Sequence, residues 1–307
     1  MMQQLDKWNK ELEQLSKKRY KRMDNELYNS YKDGLKQLKL EIKQYIDAYD
    51  SLSFSQRLQV ERQLEVATQI NDIINEMGGK EERLLRNFIS DEGTQGYFGT
   101  FYVLEGAENI QLNFAMLPES YIEELVNTPV AGKRLSTRLY TNQSKLAQET
   151  TTALLQGAFR GEGYAKVAKR VGELTEANYK QALRIARTEG GRVQSTGKQR
   201  AYEEAKEKGV DIKKRWLSTS DKKTRHTHQS LDGQTVDVDD EFVSDSGARA
   251  KGPRLFREPS ETINCRCTTI TIVNGISPEL RKDNETKKIV KYRNYNDWLK
   301  VKEVGKN

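Results

Sequence analysis

The chain has 307 residues, 35% hydrophobic and 32% charged, and its fifty-two Lys and Arg against forty-five Asp and Glu leave a net charge of +7. That apolar share, well under the roughly half of ordinary globular domains, excludes one large core and points to a domain with extended helices packed on one another or on a partner. No apolar run approaches the ~18 residues of a membrane span, and two cysteines separated by one residue exclude a disulfide framework.

The opening MMQQLDKWNKE lacks the apolar segment of a signal peptide, so the expectation is a soluble, cytosol-made protein with no membrane partner. Residues 2–50 read as one or two long helices. Leu5, Trp8, Leu12, Leu15, Tyr20, Met23, Leu27, Tyr31, Leu35, Leu38, Ile42, Tyr45 and Tyr49 recur at three- and four-residue steps, a narrow stripe suited to an antiparallel helical arm. Ser53 is placed to cap a second helix, with Leu64, Ile70, Ile74 and Met77 on its face and Gly78-Gly79 as its stop. A third segment runs from Glu81 to Ile89, and the glycine-dotted stretch after it carries no clear assignment. Pro118 opens a short helix that Pro129 closes.

A boundary near Thr128–Ala131 separates this arm from a second part. There a helix is expected from Ser136 to Phe159, then a long helix up to Gly209 on which Tyr179, Ala182, Ala186, Gly190, Val193 and Gly197 share a face. Val210, Ile212 and Trp216 alternate with polar residues as a strand, and Cys265 to Val273 alternate as a closing strand. The loop between them is rich in Gly, Pro and charge. A basic tail follows, with a short helix expected around Tyr295–Lys302. The chain is therefore expected to be α+β. Residues 1–128 form an extended helical region, 129–273 a module of helices with a small antiparallel sheet, and 274–307 the tail.

All four histidines and cysteines, His226, His228, Cys265 and Cys267, fall between Leu183 and Val273. The order GKRLSTRLYTN, QGAFRGEG, A-R-T-E (Ala186–Glu189), a strand ending in Trp216, D-x-x-T-R-x-x-H-x-x-L-D-G (Asp221–Gly233) and N-C-R-C (Asn264–Cys267) resembles the Mu F-like head-morphogenesis family, the minor head proteins of tailed phages. The match covers residues 129–273. The resemblance implies a structural, non-enzymatic protein made in the host bacterial cytoplasm and located in the virion, inside the head. Its implied partners are the portal protein, other head proteins and packaged double-stranded DNA, with a role in genome delivery and no small-molecule substrate.

His226, His228, Cys265 and Cys267 together are chemically suited to a tetrahedral structural zinc that would fasten the long loop. Relatives carry Cys-x-x-Cys where this chain has Arg225-x-x-His228. The alternative is that His228 bonds a backbone carbonyl while the cysteines fill the core. Arg187 and Glu189 are expected to form a polar anchor from helix to sheet through Arg225 or the Trp216 N–H. From Arg184 to Arg225, thirteen bases face six acids, which suits sequence-indifferent contact with phosphates.

Two enzymatic alternatives remain. Ser218-Thr219-Ser220 after a strand is similar to an ADP-ribosyltransferase element, but Arg187 is on a helix and no E-x-E or Q-x-E follows on a later strand. A metal-dependent nuclease would use His226, His228, Asp221 and Asp232. The expectation drawn from the sequence is that the chain is not an enzyme.

Overall fold

The computed structural model describes residues 2–53, 56, 60–108, 112, 114–130 and 132–273, together with the backbone of 280–282 and 289–291. Five main helices come first: α1 (Met2–Asp50), α2 (Val60–Glu108), α3 (Glu119–Asn127), α4 (Leu135–Phe159) and α5 (Tyr164–Glu207). Short elements follow: β1 (Ile212–Leu217), α6 (His226–Leu231), β2 (Thr235–Asp237), β3 (Phe242–Val243), β4 (Arg249–Ala250), α7 (Pro259–Thr262), β5 (Thr268–Val273), β6 (Leu280–Lys282) and β7 (Ile289–Lys291). The fold is α+β, with long helices leading into a small antiparallel sheet. The tail helix expected around Tyr295–Lys302 lies outside the described residues.

The chain divides into two units. One comprises Tyr20–Asn87 and Lys133–Ala186, and the long elements among its described residues are all helices. Its part of α1 buries Met23, Leu27, Tyr31, Leu38 and Ile42, as the expected stripe requires, and α2 buries Ile70, Ile74, Met77 and Leu85. Gly78-Gly79 does not stop α2, which runs on for forty-nine residues in all. A Cβ on Gly78 would fall 2.3 Å from the Gln143 side chain, so this glycine serves packing rather than termination. A polar chain crosses the interior. The Tyr31 hydroxyl donates to Glu81 Oε2 (3.2 Å) and Asn178 Oδ1 (2.7 Å), Gln143 Nε2 donates to Glu81 Oε2 (3.2 Å), and Asn142 Nδ2 donates to Asn178 Oδ1 (3.0 Å). Burial pushes the Glu81 carboxyl up to about 7, against the hydrogen bonds from Gln143 and Tyr31.

The other unit comprises Met1–Arg19, Phe88–Gly132 and Arg187–Asn307. Here α2 continues through the glycine-dotted stretch left unassigned above. Gly93, Gly96 and Gly99, three residues apart, lie on one side of the helix. A Cβ on Gly96 would sit 2.2 Å from the Gln194 carbonyl oxygen of α5, and one on Gly197 would sit 2.5 Å from the Gly93 carbonyl oxygen. The two backbones meet because neither carries a side chain there. Tyr97, Phe101 and Leu104 then pack with Tyr202 and Ala205 of α5 and with Ile212 and Val273 of the sheet.

The sheet has the order β2-β1-β5, antiparallel throughout, with Trp216 opposite Thr269, Lys214 opposite Thr271 and Arg215 opposite Thr235. Period-two alternation buries Ile212, Lys214 and Trp216 together. Lys214 is the unexpected member of that face. Its ammonium donates to Gln199 Oε1, Val238 O and Lys251 O, each at 2.9 Å, which uses all three of its protons. The closing strand starts at Thr268, so both cysteines lie in the extended segment before it rather than on the ladder.

Candidate metal centre

The segment before β5 is shaped by two residues with left-handed backbones, Arg254 (φ 66°) and Asn264 (φ 57°). Asn tolerates that region because its short polar side chain bonds locally. The turn at Asn264 aims its N–H at Thr188 Oγ1, 3.0 Å away, so N-C-R-C is tied directly to A-R-T-E on α5. Arg254 Nε donates to the Cys265 carbonyl at 2.7 Å, and its Nη1 donates to Gly191 O at 3.3 Å. A Cβ on Gly191 would lie 2.3 Å from that guanidinium carbon, so a larger residue there would have to displace the Arg254 head group.

These constraints place both sulfurs against one imidazole. His228 Nδ1 is 3.5 Å from Cys265 Sγ and 3.5 Å from Cys267 Sγ, and the three atoms lie within 4.8 Å of one another. On the far side of the ring, His228 Nε2 is 2.9 Å from Glu261 Oε2, close enough for an ion pair but off the line of a straight N–H···O bond. Glu261 is fixed in turn by Thr227 Oγ1 on Oε2 (2.8 Å) and Ser246 Oγ on Oε1 (3.3 Å). Trp216 meets the ring edge-on and Phe256 stacks on it. All four polar residues are buried, His228 at 1% exposure and Glu261 at 6%.

The two thiols are not equivalent. A hydrogen bond from Cys267, aided by His228 and the Arg254 charge, holds the Cys265 thiol well below its ordinary range. Cys267 is pushed up by its bond to Cys265 and by burial, against a bond from the Thr219 backbone N–H.

Of the four expected ligands, His228, Cys265 and Cys267 converge and His226 does not. His226 is exposed in the first turn of α6, and residues two apart on a helix point about 200° apart, so both rings cannot face one site. The expected anchor is also rearranged. Glu189 is buried, but its partner is Arg192 on the same helix (3.3 Å), which also donates to Leu125 O at 2.5 Å. Arg187 is exposed, Arg225 donates to Ile263 O, and Trp216 is fully buried among Phe242, Phe256 and the cysteines. The Trp216 N–H meets no acceptor among the described residues. Glu261, Arg254 and the Thr219 N–H were not foreseen. The one signal for Glu261 is an acid in a proline-initiated turn just ahead of N-C-R-C.

The sequence profile of a family described as Phage Mu protein F like protein matches residues 148–270, which hold His228, Glu261 and both cysteines. Over 227 residues the chain is 30% identical to the minor head protein GP7 of Bacillus phage SPP1, spanning 73% of each protein. The chain belongs to this family of phage minor head proteins. It is also 52% identical, over 297 residues and 97% of its length, to an Enterococcus faecalis protein named NAD(+)--arginine ADP-ribosyltransferase EFV, of which it spans 61%. That similarity overturns the expectation that the chain is not an enzyme: a relative matching nearly all of it bears a transferase's name. No solved structure matches the chain. Among the described residues, no helix is long and apolar enough to cross a membrane.

Proposed function

We propose that this minor head protein acts in head morphogenesis at the portal, inside the head, with sequence-indifferent contact to packaged double-stranded DNA and a part in its delivery. The observation that carries the reading is the likeness to the SPP1 minor head protein across 73% of both chains. Co-expression with the portal protein of the same phage tests it. The two co-sediment if the reading holds, and separate sedimentation at micromolar concentrations counts against it.

The DNA contact rests on a smaller basic surface than the sequence advertises. Arg192 and Lys214 are buried and spend their donors internally, and Arg225 is turned to a backbone carbonyl. Arg187, Lys213, Lys222, Lys223, Arg249 and Arg257 remain exposed. Such contacts neutralise phosphates and release counterions, so affinity falls steeply with salt and is indifferent to sequence. Charge reversal of Lys222 and Lys223 lowers the salt slope; an unchanged slope removes this surface from the reading.

The donor set fits a structural zinc. Two thiols and an imidazole nitrogen, all buried and within 4.8 Å of one another, suit a borderline-soft cation. His228, Cys265 and Cys267 would hold the ion, which when bound would supply a cross-link between α6 and the segment before β5. Elemental analysis of protein purified without chelator tests this, and a zinc content near zero after incubation with Zn2+ refutes it.

Arginine ADP-ribosyl transfer is a second reading, favoured by the 52% identity to the Enterococcus faecalis protein. Incubation with NAD+ and an arginine-bearing acceptor, followed by nicotinamide release, tests it on this chain. Release above the rate without protein assigns the activity here, and its absence leaves the name with the longer relative.

A further inference from the structure

A carboxylate stands behind the imidazole on the side away from the sulfurs. Glu261 projects from the single turn of α7, and its two oxygens are occupied by the Thr227 and Ser246 hydroxyls and by the approach of His228 Nε2 at 2.9 Å. A neutral imidazole has one N–H and one lone pair. With the proton on Nδ1, the ring would turn a bare Nε2 lone pair toward an anionic carboxylate in a site only 6% exposed, where repulsion is weakly screened. With the proton on Nε2, the ring faces the carboxylate with its N–H, and the Nδ1 lone pair faces Cys265 and Cys267 at 3.5 Å each. A histidine that merely filled space beside two thiols would need no such partner.

We propose that Glu261 is the positioning residue of the metal centre: it keeps the His228 proton on Nε2, so that Nδ1 offers its lone pair beside the two sulfurs to a soft divalent cation. This rests on the zinc reading given above. Carboxylates behind ligating imidazoles fix ring orientation and raise ligand basicity, and their loss costs about 10–100-fold in metal affinity. Glu261→Gln keeps an oxygen that can accept from Nε2–H but removes the charge, whereas Glu261→Ala removes both.

The test is a Co2+ titration of the full chain, followed by thiolate-to-cobalt charge-transfer absorption, with Zn2+ as competitor and circular dichroism as the check on folding. Wild type is expected to develop the charge-transfer band and lose it to Zn2+, and Cys265→Ser to weaken it. Glu261→Ala is expected to bind Co2+ about 10–100-fold more weakly, with Glu261→Gln in between. Should Glu261→Ala fail to fold, Glu261→Gln alone decides, because a wild-type affinity in that folded variant refutes the inference. No band in wild type sinks the metal reading itself. A band of wild-type strength and affinity in both Glu261 variants sinks only the role of Glu261.

Discussion

Glu81 offers a measurable consequence of burying a carboxyl without a cation. It is fully buried in the helical unit and accepts from Tyr31 and Gln143, neither of which carries a compensating positive charge. Its carboxyl is raised from 4.5 to about 7 by burial. A folded-state value above the unfolded one means that the native state holds the proton more tightly. The associated stability is fully present below pH 4.5 and is lost as pH rises through 7. A displacement of this size corresponds to roughly 3 kcal/mol, of which about 2–3 kcal/mol is lost between pH 5 and pH 8. Glu81→Gln replaces the acid with a neutral isostere that cannot ionise. The stability difference between variant and wild type, from urea denaturation followed at 222 nm, should shift by that amount in the variant's favour from pH 5 to pH 8, flattening above 7. Comparing the two proteins at each pH cancels the titration of every other group. A difference that stays constant across that range would refute the reasoning.

Glu189→Ala should cost about 3–5 kcal/mol, because it removes the carboxylate paired with the buried Arg192 guanidinium; a melting shift indistinguishable from zero would oppose this pairing. Lys214→Met should expose the segment between Val238 and Lys251 to limited proteolysis, since Lys251 O and Gln199 Oε1 lose their donor while Val238 O keeps only the Gln199 amide, at about 1–3 kcal/mol for each acceptor left buried and unpaired. Gly79→Ala should stabilise the chain by roughly 0.5–1 kcal/mol, since no atom lies within 4 Å of the added methyl. Gly96→Ala should destabilise it by about 1–3 kcal/mol against the Gln194 backbone. Melting temperatures of the two glycine variants moving in the same direction would contradict the assignment of one glycine to open space and the other to a helix crossing.

The helices were legible where an apolar stripe repeats and nothing interrupts it. In α1 the positions expected to be inside, such as Leu27, Leu38 and Ile42, are fully buried. The second helix was cut short because Gly78-Gly79 and the glycines at 93, 96 and 99 carry the signature of turns. Glycine lowers helix propensity by about 1 kcal/mol. Close packing against Gln194 and Gly197 nevertheless demands a residue without a side chain, and that demand comes from a partner helix a hundred residues away in sequence. The period of three in those glycines was the available signal, and it is the spacing of one helix face rather than of successive turns. Lys214 was invisible for a related reason. A lysine on the inner face of a strand reads as solvent-facing until the carbonyls of Val238 and Lys251 arrive from a loop to receive it.

The chemistry of the site turns on one spacing read three times, with opposite outcomes. His226 and His228, Arg187 and Glu189, and Cys265 and Cys267 are all pairs two residues apart. On a helix that spacing rotates the second side chain about 200° from the first, so His228 and Glu189 are buried while His226 and Arg187 face solvent. In an extended segment the same spacing returns the side chain to the same side, so both cysteines reach His228. Whether x-separated ligands can share an ion is therefore decided by the local backbone before any question of affinity arises. Here that backbone is set by Asn264 in the left-handed region and by the bonds of Thr188 and Arg254 to the residues around it. Three ligands rather than four follow from geometry alone. That leaves Glu261, behind the ring, as the fourth polar residue whose removal should change how the other three bind an ion.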